Sequence, residues 1–149
     1  MIYWFTGQPG HGKTTLCVLL KKYLEDKNGG LVMHIDGDDI REVFKNKDYS
    51  KEGRIRNITF SQDLAHFCHH KGLDVVVSLV SPYLEVRESF KEKMDGNIKE
   101  IYTFTTEERG REKFHVSDYE SPEFNFLLLD TTGKTPEESL EQIKKDLGI

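Results

Sequence analysis

Gly7-Gln8-Pro9-Gly10-His11-Gly12-Lys13-Thr14 matches G-x-x-x-x-G-K-[ST] at every fixed position. Residues of these types at this spacing hold the phosphates of a nucleoside triphosphate. The glycines let the backbone turn tightly and aim successive N–H groups at phosphate oxygens, helped by the positive end of a following helix. Lys13 then reaches the outer phosphates and the Thr14 hydroxyl holds Mg²⁺. Gln8, Pro9, His11 and Thr15 complete the loop; the His11 side chain either touches phosphate or points into solvent. A second cluster follows at Asp36-Gly37-Asp38-Asp39-Ile40-Arg41. Carboxylates at the carboxyl end of a parallel strand face the crevice where open α/β sheets bind ligands. Beside a phosphate loop they suit a magnesium–water network and a base for a substrate hydroxyl. An acidic helix start that complements the dipole accounts for Asp38 and Asp39, but less well for Asp36.

Both clusters need strands and helices to position them, and the chain supplies these in alternation. Strands are expected at Ile2–Thr6, Leu31–Asp36, Asp74–Val80, Ile98–Phe104 and Phe126–Asp130. The run Asp-Val-Val-Val-Ser-Leu-Val has the near-continuous β-branched character of a strand covered on both faces. Helices are expected at Lys13–Lys27, Asp38–Asn46, Lys51–Lys71, Pro82–Lys93 and Pro136–Leu147. Asn28-Gly29-Gly30 ends the first of these, and Thr135-Pro136-Glu137-Glu138 has the spacing of a capping box. Five strands alternating with helices predict an α/β fold, a parallel sheet with helices on both faces. Residues 105–122 are polar, carry no clear element and read as a lid.

The bulk composition narrows the function. With 149 residues the chain is expected to form one domain, 1–149, with a proper core. A net charge of −5 gives no general footprint for nucleic acid, though a small anionic substrate needs only a local basic pocket. No apolar run approaches the roughly 20 residues that span a bilayer. The first strand leaves no room for a leader, so the cytoplasm is the expected compartment. Cys17 and Cys68 read as buried thiols without a disulfide partner.

The order of motifs resembles the adenylylsulfate kinase family. Trp4-Phe5-Thr6-Gly7 looks like the family's start, and Asp36-Gly37-Asp38-Asp39-Ile40-Arg41 resembles its Asp-Gly-Asp-Asn-Val-Arg block. Tyr49-Ser50, Arg54 and Asn57-Ile58 follow at the spacing of its Phe-Ser…Arg…Asn-Ile segment. Gly72-Leu73 with Ser81-Pro82-Tyr83 is similar to its Gly-Leu…Ser-Pro-Tyr/Phe stretch, and Phe114…Asp118-Tyr119-Glu120…Pro122 to the end of its lid. The resemblance covers about residues 2–131. It implies a P-loop NTPase fold, ATP and Mg²⁺, and transfer of the γ-phosphoryl group to the 3′-hydroxyl of adenylyl sulfate. Asp38 would orient or deprotonate that hydroxyl and Asp36 would support the metal waters. Arg41 and Arg54 would hold the anionic sulfate–phosphate group with help from Asn57. Tyr49 and Phe114 would sandwich the base, and Ser81 would border the pocket from the third strand.

The departures bear on substrate. The family's lid is longer, with an Arg-Asp-x-Lys-Gly-Leu-Tyr-Lys-Lys stretch, where this chain has only Thr105 to Lys113 before Phe114. Thr59-Phe60 replaces a basic pair, which is expected to remove two charges near the acceptor. No counterpart of the family's N-terminal extension is expected here, which weakens any argument about dimerisation, and a homodimer stays open. A kinase acting on another nucleotide-linked anion, such as a nucleoside diphosphoramidate, also stays open, as does a nucleotide-binding protein whose short lid has cost it activity. Asp130-Thr131-Thr132-Gly133 mimics the Asp-x-x-Gly of a GTP-dependent switch, but no Asn-Lys-x-Asp follows it. His66, His69 and His70 have a ligand-like spacing and are read as helix-surface or partly buried residues.

Overall fold

β1 (Ile2–Thr6) runs through the middle of a five-stranded parallel sheet, seen in a computed structural model that describes all 149 residues. The strand order is β2-β3-β1-β4-β5, with β2 at Val32–Asp36, β3 at Asp74–Ser78, β4 at Ile98–Phe104 and β5 at Phe126–Asp130. Ile2 pairs with Val75 on one side and with Ile98 on the other.

Side chains on a strand alternate between faces, and here both faces are covered. Ile2 and Trp4, with Val75 and Val77, pack toward α3 (Lys51–His70) and α4 (Leu84–Met94) through Ala65, Cys68, Phe90 and Met94. Tyr3 and Phe5, with Val76 and Ile101, pack toward α1 (Lys13–Asn28) and α5 (Pro136–Leu147) through Leu16, Leu20, Leu24 and Ile143. The short α2 (Gly37–Val43) joins β2 to α3. Chain order goes to one side of β1 for β2 and β3, then to the other for β4 and β5. That reversal leaves a crevice beyond the carboxyl end of β1, where both motif clusters sit.

The five strands and five helices are those expected, and Cys17 and Cys68 are buried and unpaired. Three boundaries differ by more than one residue. β3 ends at Ser78 rather than Val80, and α4 starts at Leu84, two residues past Pro82. Ser81 turns to φ +45°, and the Pro82 carbonyl accepts from the Glu120 N–H at 2.8 Å, so residues 79–83 form a link to the distant segment instead of a first helical turn. α2 stops at Val43 because Asn46 closes a local turn, its Oδ1 accepting from the Asp48 N–H at 3.0 Å. Residues 105–122 hold one short 3-10 turn, Glu112–Phe114, and Val116 is the single buried residue between 106 and 121.

Candidate active site

The phosphate loop begins where β1 ends. Gly7 adopts φ +143°, and a Cβ there would fall 2.3 Å from the Thr103 carbonyl oxygen, so no larger residue fits. α1 then starts at Gly12 with no capping side chain and no acidic residue in its first turn. By contrast Asp36, Ser50 and Thr135 cap α2, α3 and α5. The uncapped N–H groups and the unneutralised positive end of α1 are left for an anion. Lys13 is 9% exposed and its ammonium donates to the Gln8 carbonyl at 2.8 Å. Burial pushes it down to about 8, against the pull of Asp36 and Asp38. The His11 side chain does neither of the things expected of it. It is buried, with Nδ1 3.3 Å from the Thr103 carbonyl oxygen and its ring edge-on to Phe104, so only its backbone belongs to the phosphate site.

Asp36 ties four segments together. Its Oδ1 accepts from the Asp38 N–H at 2.9 Å, which is the cap of α2. Its Oδ2 accepts from the Thr14 hydroxyl at 2.9 Å and the Ser78 hydroxyl at 2.6 Å. Ser78 has one proton and gives it to Asp36, so His34 Nε2, 2.8 Å from Ser78 Oγ, must be a donor. Burial alone would raise the Asp36 carboxyl; the hydrogen bonds from Ser78, Asp38 and Thr14 outweigh it and hold the group below the usual carboxylate range. Asp38 is exposed in the same crevice, one residue on from the α2 start.

The same crevice also carries the residues expected for the acceptor. Arg41, Tyr49, Arg54, Asn57, Ser81 and Phe114 all line the crevice with Lys13, Thr14, Asp36 and Asp38. Arg41 stacks on Tyr49 with its guanidinium 4.1 Å from the ring centre, and donates to the Asn46 and Asp48 carbonyls at 3.2 and 3.0 Å. Arg54 lies 3.6 Å from Asp118. Asn57 donates to the Gly37 carbonyl at 3.2 Å and leaves its own Oδ1 buried without a partner, so it braces the Asp-Gly-Asp turn as well as facing the crevice. Ser81 is spent differently from expectation. Its hydroxyl accepts from Trp4 Nε1 at 3.1 Å and it is 1% exposed, three residues beyond the end of β3. Thr59 and Phe60 point outward from α3, and Phe60 stacks on Phe44 at 4.5 Å between ring centres. Neither Thr59 nor Phe60 lines the crevice.

The profile of one family, adenylylsulphate kinase, matches residues 1–120. The chain belongs to the adenylylsulphate kinase family. A member of that family is a phosphotransferase with an alcohol group as acceptor. An adenylyl-sulfate kinase of Staphylococcus carnosus is 31% identical over 163 aligned positions, covering 96% of this chain and 81% of that one. A cytidine diphosphoramidate kinase of Campylobacter jejuni is 34% identical over 101 positions, 68% of this chain and 58% of that one. Among solved structures, an APS kinase of Mycobacterium tuberculosis superposes with a TM-score of 0.85 at 22% identity, covering 99% of this chain and 97% of that one. The fold is that of the P-loop NTPases.

Several residues around this kinase site were not singled out from sequence. His34 sits two positions before Asp36 on the same face of β2, a period-two signal that was available. Ser78 joins them only once β3 is known to pair with β2. Arg87 is 3% exposed on the Phe90–Met94 stripe of α4. It bonds the Ser81 and Glu120 carbonyls, both at 2.5 Å, and pairs with buried Glu100 at 2.8 Å. A charged residue at i−3 and i−7 to an apolar pair was the only hint.

Proposed function

We propose that this protein transfers the γ-phosphoryl group of MgATP to the 3′-hydroxyl of adenylyl sulfate, giving 3′-phosphoadenylyl sulfate. The observation that carries the reading is one crevice of about 1140 Å³ lined by the phosphate loop together with Arg41, Arg54 and the aromatic rings of Tyr49 and Phe114. Ligand sites commonly fall between about 300 and 1,000 Å³, so the crevice has room for a donor and an acceptor nucleotide together.

The uncapped start of α1 and Lys13 bind the donor phosphates. Thr14 and Asp36 offer a hydroxyl and a carboxylate 2.9 Å apart, hard oxygen donors that fit Mg²⁺. Bound there, the ion would neutralise charge on the β- and γ-phosphates. Asp38 accepts the proton of the acceptor hydroxyl as that oxygen attacks phosphorus. Arg41 and Arg54 hold the sulfate–phosphate end, and Tyr49 and Phe114 the base. Phosphoryl transfer asks chiefly for positioning and charge stabilisation, so this set suffices. Residues 105–122 act as the lid of a single domain. A homodimer is one assembly compatible with the reaction. No helix is long and apolar enough to cross a membrane, and both thiols are free, which supports a cytoplasmic setting.

ADP release measured with MgATP and a panel of acceptors tests this. Release with adenylyl sulfate alone is expected. Release with a nucleoside diphosphoramidate instead would reassign the acceptor. GTP hydrolysis without any acceptor would favour a switch, and silence throughout would favour a binding protein.

A further inference from the structure

Two side chains meet the lid from motif positions that any residue can fill. Gln8 Nε2 donates to the Val116 carbonyl at 2.9 Å, and the Val116 N–H donates to Gln8 Oε1 at 2.8 Å. A side-chain amide thus pairs with a backbone amide at both ends, as neighbouring strands pair. One residue earlier, His115 Nε2 lies 3.2 Å from the Pro9 carbonyl oxygen, and a carbonyl only accepts, so Nε2 carries the proton. The His11 and His115 rings meet edge-on at 5.3 Å. Residues 111–117 make no other hydrogen bond to the chain outside the lid. Val116 is also the lid's one buried side chain between residues 106 and 121, at 8% exposure. The middle of the lid is therefore held at a single point, on the phosphate loop.

We infer that Gln8 is a positioning residue for the acceptor: its side-chain amide docks the short lid on the phosphate loop and so fixes Phe114, two residues from the dock, in the crevice. This rests on the reading of that crevice as the acceptor site. The lid carries little to order it by itself, with one 3-10 turn and exposed Arg111, Lys113 and Phe114. A loop without a buried face closes only as well as its few bonds hold it. Gln8 supplies two of those bonds, and a residue without an amide supplies neither.

The test replaces Gln8 by Leu, which keeps the bulk and removes the amide, and by Glu, which keeps the acceptor for the Val116 N–H but sets a carboxylate against the Val116 carbonyl. Native full-length protein is treated with trypsin and cleavage after Arg109, Arg111 and Lys113 is followed by mass. Gln8→Leu is expected to be cut at these sites about tenfold faster at an unchanged melting temperature, with Gln8→Glu at least as fast. The acceptor KM of Gln8→Leu is expected to rise about tenfold, several times more than the ATP KM. Cleavage at the wild-type rate would overturn the docking. Fast cleavage with an unmoved acceptor KM, or equal rises in both KM values, would overturn the positioning role. Should the wild-type protein phosphorylate no acceptor, the functional reading fails while the protease result still decides the docking.

Discussion

Lys13 should make nucleotide binding a proton-uptake reaction. Its ammonium is buried without a carboxylate in contact, donates only to the Gln8 carbonyl, and sits at about 8 where an exposed lysine sits near 10.4. Triphosphate oxygens beside it restore the charged form, since an opposite charge within hydrogen-bonding distance favours ionisation. The sign follows from that pair of states. The empty protein loses the proton as pH rises through 8, the complex keeps it, and affinity is full below 8 and falls above it. At pH 7 about nine-tenths of the empty protein carries the proton, and at pH 9 about one-tenth, so affinity drops about tenfold, or about 1.4 kcal/mol. A lysine with an ordinary pKa would lose almost nothing over that interval. Titration calorimetry in buffers of different ionisation heat counts the protons directly. About half a proton should enter per nucleotide at pH 8 and about nine-tenths at pH 9, a range in which phosphate groups themselves (second pKa about 6) no longer titrate. Lys13→Met should bind more weakly and take up none. A flat affinity from pH 7 to 9 with zero uptake in the wild type would refute the buried, unpaired ammonium as the phosphate ligand.

Three substitutions separate the remaining roles. Asp38→Asn should lower kcat by at least about a hundredfold while the ATP KM moves little, because the carboxylate acts on the acceptor proton; turnover within threefold of wild type would remove Asp38 as the base. Arg41→Ala should raise the acceptor KM by about tenfold or more with little effect on the ATP KM, since a guanidinium to an anion contributes about 1.5–3 kcal/mol; equal rises in both would put Arg41 at the wrong end of the crevice. Glu100→Gln should cost about 3 kcal/mol in urea unfolding, because Glu100 is 2% exposed and faces both Arg87 at 2.8 Å and Lys91 at 2.6 Å, and its loss leaves buried Arg87 without a carboxylate while Lys91 keeps Glu88; a cost under 1 kcal/mol would show the cluster to be solvated.

What was legible in the sequence was local. The capping box at Thr135–Glu138 closes within four residues, and α5 spans Pro136–Leu147 as expected. The phosphate loop is legible because glycines at positive φ leave a fixed spacing. Contacts made across the chain were not. The start of α4 shifted because Glu120 claims the Pro82 carbonyl, and the Ser81 hydroxyl went to Trp4, from positions 38 and 77 residues away. Thr59 and Phe60 show what the helical period makes legible. Asn57, Ile58, Ser61, Gln62 and Ala65 are the buried positions of that part of α3, and at about 100° per residue Thr59 and Phe60 fall on the opposite side. Helical phase already placed Thr59 and Phe60 off the buried face of α3.

The short lid can be argued in the same terms. The entropic cost of closing a loop grows only as about (3/2)RT ln n, so halving a lid changes that cost by about 0.6 kcal/mol. Shortening therefore does little to closure itself; what it removes is reach and charge. Arg111 and Lys113 still line the crevice, and Arg111 packs so close to Gly10 that a Cβ there would fall 2.9 Å from the arginine's own. Two cations thus remain in the crevice on this short lid, next to the segment around Val116 that the phosphate loop holds. In a lid this short, the bonds from Gln8 and Pro9 are what tie its middle to the rest of the chain, and the phosphate loop sets where the lid can close.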